Sequence, residues 1–329
     1  TRNLNKYHFN TFRMKIDGLG SGTFHARKAG SIAGFDETNP QYQILMTDYL
    51  KELQNHYEKM GWLDKAYIYW FDEPNPQDYD FVKGKMELIH QAAPKLSRML
   101  TEQPEPELYG AGDIWCPKTN HYEHEIAEQR RKQGEHFWWY VCSTPTEPFC
   151  TLFIDHYAVE LRTWLWQTWK YDVKGILVWQ SVYWHSNAAY PDELQNPYQD
   201  PMSYVSGYSL QKGEVKYWGN GDGRFLYPPK VVFENDEPCM DGPVNSIRWE
   251  MLRDGIEDYE YLWMLRELLE TARKRGVNSS KIRKYDALLE VPSQITASMT
   301  EFSVSPEPIY EHREKVARAI EWLRRELKK

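Results

Sequence analysis

The chain has 329 residues and a formal net charge of −8, and aromatic residues make up 15% of it. Charges of both signs are interspersed without a long basic run, which argues against a nucleic-acid partner. No apolar segment approaches the roughly 18 residues that cross a membrane. The 14 Trp and 23 Tyr supply flat apolar faces, which suit a protein core or the face of a sugar ring.

The first elements are a strand, a loop and a helix. Lys6–Phe12 is predicted as a strand, and a polar, glycine-rich loop follows over Gly18–Gly34. Pro40, preceded by Asn39 as the capping residue, begins a helix that has its apolar side chains on one face. Gly61 is expected to end this helix.

Five more strands follow, separated by helices or polar segments. They are predicted at Ala66–Phe71, Ser97–Gln103, Asp113–Pro117, His136–Cys142 and Gly175–Gln180. The intervening helices are predicted at about Tyr79–Ala93, His121–Gln133 and Asp155–Tyr171. Continuous apolar strands that alternate with amphipathic helices predict a parallel sheet covered on both faces.

Six strands in β-α order favour a (β/α)8 TIM-type barrel in an α/β protein, and a closed barrel needs eight strands. If Lys6–Phe12 is the third strand, two strands lie upstream of Thr1, so we expect the chain to lack the first strands of its barrel. An open doubly wound sheet is the alternative. No strand is followed by the Gly-x-Gly-x-x-Gly that marks a dinucleotide site.

The second half of the chain does not continue the predicted alternation of strands and helices. Trp184–Gly223 is predicted as a long loop region, and long helices are predicted at Asn245–Arg275 and Pro306–Leu327. The charged segment Arg253–Asp258 is interpreted as helix-surface and loop-tethering residues. We expect residues 1–329 to form a single catalytic domain, with a barrel part at about 5–230 and a C-terminal helical part at about 242–329.

The four cysteines have spacings that match no zinc motif. Cys142 and Cys150 flank a loop that contains proline. A disulfide between them and two reduced thiols are both compatible with the sequence.

Polar and aromatic side chains gather where the predicted strands end. Because the carboxyl ends of parallel strands meet at one edge, we expect these side chains to form one site. The candidates are His8, Asn10, Asp72, Glu73, Glu102, Trp115, Tyr140, Trp179 and Gln180, with Trp184 just beyond them. Carboxylates with aromatic platforms match the hydrolysis of a glycosidic bond, and neither a metal nor a cofactor is expected.

Most of these residues also have an ordinary structural interpretation. Asp72 is a good turn former before Glu-Pro, and Glu102 can be a solvated strand end. Trp115 and Trp179 can be core residues, as large aromatic side chains usually are. The second Asp-Glu-Pro, at 236–238, lies in a predicted loop, and we do not expect it to be catalytic.

Because Asp72 and Glu73 are adjacent, the sequence favours a mechanism in which the two carboxylates have different roles. A standard retaining glycosidase places its nucleophile across the site, about 5 Å from the acid. An adjacent pair suits substrate-assisted hydrolysis, in which one carboxylate orients a 2-acetamido group and its neighbour handles the proton. The acetamido oxygen then attacks the anomeric carbon, so the enzyme needs no nucleophile of its own.

Two longer segments resemble a known family. "GDGRFLYPP" (Gly221–Pro229) and "GPVNSIRWEMLRDGIEDYEYLWML" (Gly242–Leu265) resemble the C-terminal signature of glycoside hydrolase family 123, and "YWFDEP" (Tyr69–Pro74) resembles its catalytic strand. The resemblance runs from about Lys6 to the end of the chain. Where the family has Tyr-Pro-Gly, this chain has Tyr-Pro-Pro at 227–229.

The resemblance implies a (β/α)8 barrel and a bacterial exo-β-N-acetylgalactosaminidase. The substrate would be a glycan or glycolipid that ends in N-acetylgalactosamine, and the enzyme would be secreted or periplasmic. Asp72 would orient and stabilise the acetamido group, and Glu73 would be the general acid/base. Two alternatives stay open: a conventional glycosidase with Glu73 as the acid and Glu102 or Glu147 as its partner, and a carbohydrate-binding barrel without catalysis.

Overall fold

The computed structural model of the chain describes residues 6, 9–23, 26–205, 215–234, 239–277 and 279–328. The chain divides into two compact units, Thr1–Tyr140 and Val141–Lys329. Each unit contains both helices and strands. The α/β class that the alternating pattern predicts is therefore confirmed.

The first unit contains ten strands and three α-helices among its described residues. They are β1 (Phe12–Met14), β2 (Ser21–Thr23), β3 (Ala26–Lys28), β4 (Ser31–Ile32), β5 (Phe35–Asp36), α1 (Pro40–Met60), β6 (Ala66–Tyr69), β7 (Phe71–Asp72), α2 (Tyr79–Ala92), β8 (Ser97–Leu100), β9 (Ile114–Trp115), α3 (His124–Arg131) and β10 (His136–Tyr140). Strands β1, β6, β8, β9 and β10 pair in parallel and in chain order. The predicted parallel sheet is confirmed for these strands.

The first strand begins later than predicted. The prediction of Lys6–Phe12 is wrong, because the strand spans Phe12–Met14 and pairs with Ala66–Ile68. Phe9 is 53% exposed, whereas Met14 is 2% exposed, so the side chains that belong to the core come after Phe12 and not before it.

The glycine-rich segment after β1 is not the loop that its composition predicts. The predicted loop Gly18–Gly34 contains the short strands β2, β3 and β4, and its Leu19 is fully buried. Gly22 lies directly against Phe71, and a Cβ at that position would meet the Phe71 ring at 2.2 Å. Glycine therefore allows β2 to run beside β7, the strand that ends in Asp72.

Helix α1 has the ends that its sequence predicts. The Asn39 side chain accepts a hydrogen bond from the Gln41 backbone N–H, and Pro40 is the first helical residue. Gly61 ends the helix in the left-handed conformation, with φ of 66°.

The second unit is mainly helical among its described residues. Its elements are α4 (Val159–Lys170), β11 (Gly175–Leu177), β12 (Met202–Val205), β13 (Lys216–Asn220), β14 (Leu226–Tyr227), β15 (Val244–Asn245), α5 (Ile247–Lys274), α6 (Ser279–Asp286) and α7 (Glu307–Glu326). The predicted helices that correspond to α4, α5 and α7 are confirmed. Strands β12 and β13 pair antiparallel inside the segment predicted as a long loop, so that prediction is wrong in part.

Helices α4, α5 and α7 enclose the core of the second unit. Trp166 of α4 packs with Leu262 and Leu265 of α5 and with Ile309 and Val316 of α7. None of the described helices is long and apolar enough to cross a membrane.

A buried ion pair holds α4 to α5. Arg162 donates from Nε and Nη2 to the two carboxylate oxygens of Asp258, at 2.6 and 3.0 Å, and Trp166 Nε1 donates to Oδ2 at 2.9 Å. Asp258 is 1% exposed, so its interpretation as a helix-surface residue is wrong. Arg253 and Glu257 do lie at the surface of the same helix.

The cysteine question is answered by the structure. Cys142 and Cys150 are both buried, and no disulfide joins them in the described part of the chain.

Replacing Asp258 by alanine should destabilise the protein strongly, because the buried Arg162 would lose both of its hydrogen bonds to carboxylate and keep only Asp254 at 3.9 Å. The expected loss in the free energy of unfolding is about 3–5 kcal/mol. Glu257→Ala is the matched control, since its ion pairs with Arg253 and Arg313 are exposed and contribute about 0–1 kcal/mol. Urea denaturation measures both, and equal losses would contradict the assignment of Asp258 as the structural carboxylate.

Candidate active site

The adjacent carboxylates stand where the backbone leaves β7. Asp72 is the last residue of this strand, and Glu73 follows with φ of 43°, in the left-handed region that non-glycine residues rarely adopt. Such a conformation costs on the order of 1–3 kcal/mol and is concentrated at functional sites. It also interrupts the strand geometry, so the two neighbouring side chains need not point to opposite faces.

Thr101, which follows β8, connects the two carboxylate residues. Its hydroxyl accepts a hydrogen bond from the Glu73 backbone N–H at 2.9 Å and lies 3.3 Å from Asp72 Oδ1, to which it donates. The Tyr69 hydroxyl donates to the same oxygen. In the described structure both of these bonds to Asp72 end on Oδ1.

The Tyr69 phenol is a fixed donor in this network. Burial, reinforced by the charge of Asp72, raises the pKa of Tyr69. The phenol therefore keeps its proton at physiological pH, and its hydroxyl continues to donate to Asp72.

Glu73 opens onto a pocket of about 360 Å³ that lies within the first unit. Volumes of this order are typical of small-molecule sites. The pocket is formed where β7, β8, β9 and β10 end, which is the edge that the sequence predicts. Its polar lining residues are Glu73, Asn75, Tyr79, Thr101, Glu102, Gln103, Glu105, Lys118, His121 and Tyr140.

Three of the predicted site residues therefore come together: Glu73, Glu102 and Tyr140. The Tyr140 hydroxyl donates a hydrogen bond to Glu73 Oε1. Tyr140 is predicted to contact substrate, and the described contact shows that it also fixes the orientation of the Glu73 carboxylate.

Glu102 is the carboxyl group of the pocket that titrates near neutral pH. Burial raises its pKa from 4.5 to about 7, and the neighbouring charges of Glu105 and Glu73 add to this effect. The Gln103 backbone N–H, which donates to Glu102 Oε1 at 3.2 Å, and the charge of Lys118 oppose it. A proton thus resides on Glu102 over much of the acidic to neutral range.

The sequence analysis missed Lys118 and His121. Both lie a few residues beyond β9, so the strand-end rule extended into the following loop would have found them. Burial and the charge of Lys118 lower the pKa of His121, while the charge of Glu73 raises it. The pocket therefore places a lysine ammonium and a mainly neutral imidazole beside its carboxylates.

Two predictions at strand ends are corrected. Trp115 is fully buried, and its indole N–H donates to Glu135 Oε2 at 2.5 Å, so this ring is a core residue and its assignment to substrate binding is wrong. Asn10 precedes β1 and stands at the amino end of the strand, so the strand-end reason for choosing it fails. His8 lies outside the described residues, as do the acidic residues of the second Asp-Glu-Pro.

The remaining candidates belong to the second unit. Trp179 is 39% exposed, and its indole N–H donates to Asp222 Oδ1 at 2.9 Å. The Trp184 indole N–H donates to the Leu226 carbonyl at 2.6 Å. Gln180 Oε1 accepts from the next backbone N–H at 3.3 Å. Their role in substrate binding stays a prediction.

The described residues contain no group of three His, Cys, Asp or Glu side chains placed to hold a metal ion.

A parallel α/β sheet with carboxylates and a sugar-sized pocket at its strand ends is an arrangement that glycoside hydrolases use. Residues 8–265 match the family model described as glycoside hydrolase 123, catalytic domain. The chain therefore belongs to glycoside hydrolase family 123. None of the curated proteins compared with the chain matches it.

The chain is also similar to a solved structure of a family 123 glycoside hydrolase from Clostridium perfringens, which was analysed for glycolipid glycan hydrolysis. The TM-score is 0.51 at 18% sequence identity, which establishes likeness of fold. The match covers 87% of this chain and 45% of that chain, so this chain spans less than half the length of the Clostridium enzyme.

The raised pKa of Glu102 predicts a pH-dependent effect of Glu102→Gln on stability. The folded-state pKa of about 7 lies above the ordinary 4.5, so the folded protein binds more protons between these values than the unfolded chain. The stability linked to this proton is complete below about pH 4.5 and is lost as the pH rises through about 7. Glu102→Gln should therefore raise Tm at about pH 8 by more than at about pH 5.

Thermal unfolding at the two pH values measures this difference, which corresponds to about 1–3 kcal/mol. Glu107→Gln is the matched control, because Glu107 lies on the following turn and is exposed. A Glu102→Gln effect that is the same at both pH values would show that Glu102 is solvated.

Proposed function

We propose that the protein releases terminal β-linked N-acetylgalactosamine from glycans or glycolipids by a substrate-assisted mechanism with retention. The observation that carries this proposal is the pairing of Asp72 and Glu73 through the single hydroxyl of Thr101. Glu73 faces a sugar-sized pocket. The described hydrogen bonds from Tyr69 and Thr101 to Asp72 both end on Oδ1, so in this proposal Oδ2 accepts from a donor on the substrate. The described glycolipid glycan hydrolysis by the Clostridium relative supports a glycan substrate of this class.

In the proposed reaction Asp72 accepts a hydrogen bond from the acetamido N–H, which directs the acetamido oxygen at the anomeric carbon. Glu73 protonates the leaving oxygen as the glycosidic bond breaks, and the acetamido oxygen forms the new bond to carbon. The product of this step is a bicyclic oxazolinium ion. The negative charge of Asp72 stabilises the positive charge that develops on the acetamido group.

The second step reverses these roles. Glu73, now ionised, takes a proton from water, and the water oxygen attacks the anomeric carbon from the face that the leaving group vacated. The bond to the acetamido oxygen breaks, and the sugar leaves with its original configuration. Tyr140 and Thr101 keep Glu73 in place through both steps by binding its carboxylate and its backbone N–H.

We also propose that the parallel sheet is part of a (β/α)8 barrel. Strands β1, β6, β8, β9 and β10 are paired in chain order, with α1, α2 and α3 among the connections, and this order is the one that a barrel requires.

A conventional two-carboxylate mechanism is the second candidate, and one observation favours it: Glu102 lines the same pocket as Glu73. A nucleophile has to be ionised, however, and the pKa of Glu102 is raised to about 7. This property counts against Glu102 as the nucleophile partner of Glu73.

The requirement for the acetamido group tests the proposal directly. An aryl β-N-acetylgalactosaminide should be cleaved, and the matching aryl β-galactoside should be inert, because it lacks the internal nucleophile. Release of the aryl group is followed by absorbance. Cleavage of both glycosides at similar rates would favour the conventional mechanism, and binding without cleavage of either would favour a carbohydrate-binding protein.

Asp72→Asn tests the charge beside the acetamido group. The variant keeps the side-chain shape but loses the charge, so kcat should fall and a thiazoline mimic of the oxazolinium ion should bind more weakly. Both effects should be about equal in free energy, since both reflect the same cationic state. A 2-fluoro sugar that forms a covalent adduct on Glu102, together with no inhibition by the thiazoline, would contradict the proposal.

Glu73→Gln tests the proton donor. The variant should lose far more rate on glycosides with poor leaving groups than on activated aryl glycosides, which depart without protonation. Each tenfold loss in rate corresponds to about 1.4 kcal/mol in the barrier. Glu105→Gln, which lines the same pocket, is the control and should leave this dependence unchanged. An equal loss on both substrate types would remove Glu73 from the role of acid.

A further inference from the structure

The second unit carries an aromatic surface formed by Trp179 and Tyr183. The two ring centroids lie 5.5 Å apart with an interplanar angle of 55°, and Trp179 is 39% exposed. Trp218 packs against Trp179 at 6.4 Å between centroids. Trp179 is therefore supported by other rings and still presents part of its own ring to solvent.

A buried carboxylate fixes the edge of the exposed ring. Trp179 Nε1 donates to Asp222 Oδ1 at 2.9 Å, and Asp222 is fully buried. Gly223 brings the backbone directly against the aromatic surface, because a Cβ there would lie 2.8 Å from Trp179 and 3.0 Å from Tyr183. With φ of 71°, this position also favours glycine on conformational grounds.

Asp222 accepts the hydrogen bond from Trp179, but its carboxylate is buried away from water. Burial raises the pKa of Asp222 to about 6, and the hydrogen bonds from Trp179 and the Gly223 backbone partly oppose this shift. Oδ2 has no hydrogen-bond partner of regular geometry among the described residues. An apolar residue would fill this site without that penalty, but it would leave the indole N–H without an acceptor.

We propose that the Trp179–Tyr183 surface binds the C–H face of a neutral pyranose, and that Asp222 is the positioning residue that sets the angle of the Trp179 ring. The inference rests on the proposed function, because the ligand is the carbohydrate substrate or product. Aromatic faces suit sugars with several C–H bonds on one side, as in the galacto configuration. The hydrogen bond to Asp222 uses the N–H at the edge of the indole, so it does not occupy either face of the ring.

Binding of N-acetylgalactosamine and of galactose, measured by calorimetry, tests the inference on the whole chain. Trp179→Ala should weaken binding of N-acetylgalactosamine about fivefold to tenfold. Asp222→Leu should weaken it to a similar extent, although the ring is still present, because the ring loses its anchor. Asp222→Asn should remain within about twofold of the unmodified protein, since its amide oxygen still accepts from the indole.

Two further variants make the comparison specific. Trp263→Ala is the matched control, because Trp263 is 41% exposed on α5 and outside this surface. Trp179→Phe retains an aromatic face but removes the N–H that Asp222 accepts, so it should also lose affinity. If Asp222→Leu does not fold, Trp179→Phe tests in its place whether the hydrogen bond between Trp179 and Asp222 contributes to sugar affinity. The double variant Asp222→Leu/Trp179→Ala should bind no more weakly than Trp179→Ala, because both changes act through one ring.

In turnover of the aryl N-acetylgalactosaminide, a positioning role predicts a rise in KM with little change in kcat for folded Asp222→Leu. A purely structural role of Asp222 would lower Tm and leave KM and sugar affinity unchanged, which would overturn its assignment. Unchanged affinity in folded Trp179→Ala, or an unmodified protein that binds neither sugar, would overturn the surface itself.

The result that would refute the proposed catalytic function differs from the result that would refute the binding surface. A protein that binds sugar through this surface but hydrolyses no N-acetylgalactosaminide would refute the catalytic proposal and leave the binding surface in place. An active enzyme whose Trp179 and Asp222 variants all behave normally would refute only the binding surface.

Discussion

The hydrogen bonds of the Thr101 hydroxyl are the interaction on which the candidate active site depends. They require Thr101, which follows β8, to lie beside the residues at the end of β7. The parallel register does this, because Tyr69 pairs with Met99, and residues two or three positions further along each strand then lie side by side. A shift of one residue would turn Thr101 to the opposite face of the sheet, and the two carboxylates would lose their common partner.

The same hydroxyl helps to stabilise an unfavourable backbone. Glu73 has φ of 43°, and the Thr101 oxygen accepts its N–H while Tyr140 binds its side chain. Strain of this kind persists only where surrounding contacts determine the conformation. The result is a carboxylate fixed at both its backbone and its side chain. In the proposed mechanism, such preorganisation reduces the rearrangement needed when Glu73 transfers its proton to the leaving group.

The strand-end rule predicts residues that line one pocket where the apolar runs are long and clearly end. Asp-Glu-Pro ends such a run, and Glu102 and Tyr140 were found in the same way. The rule failed for Trp115, because successive side chains alternate between faces and the sequence does not show which face the last one takes. It also cannot reveal the Thr101 hydrogen bonds, because they depend on register between strands, or the left-handed Glu73, because no glycine marks it.

The segments by which the family is most easily recognised have a mainly structural role in the second unit. Arg224 is fully buried and donates to the Tyr183 carbonyl, to Ser186 Oγ and to Gln195 Oε1. Arg248, also buried, donates to the backbone carbonyls of Leu152, Gly221 and Arg224. Buried guanidinium groups tolerate little change, because any lost acceptor leaves a charge unsatisfied. The two buried arginines of these segments therefore maintain a particular arrangement of loops in the second unit.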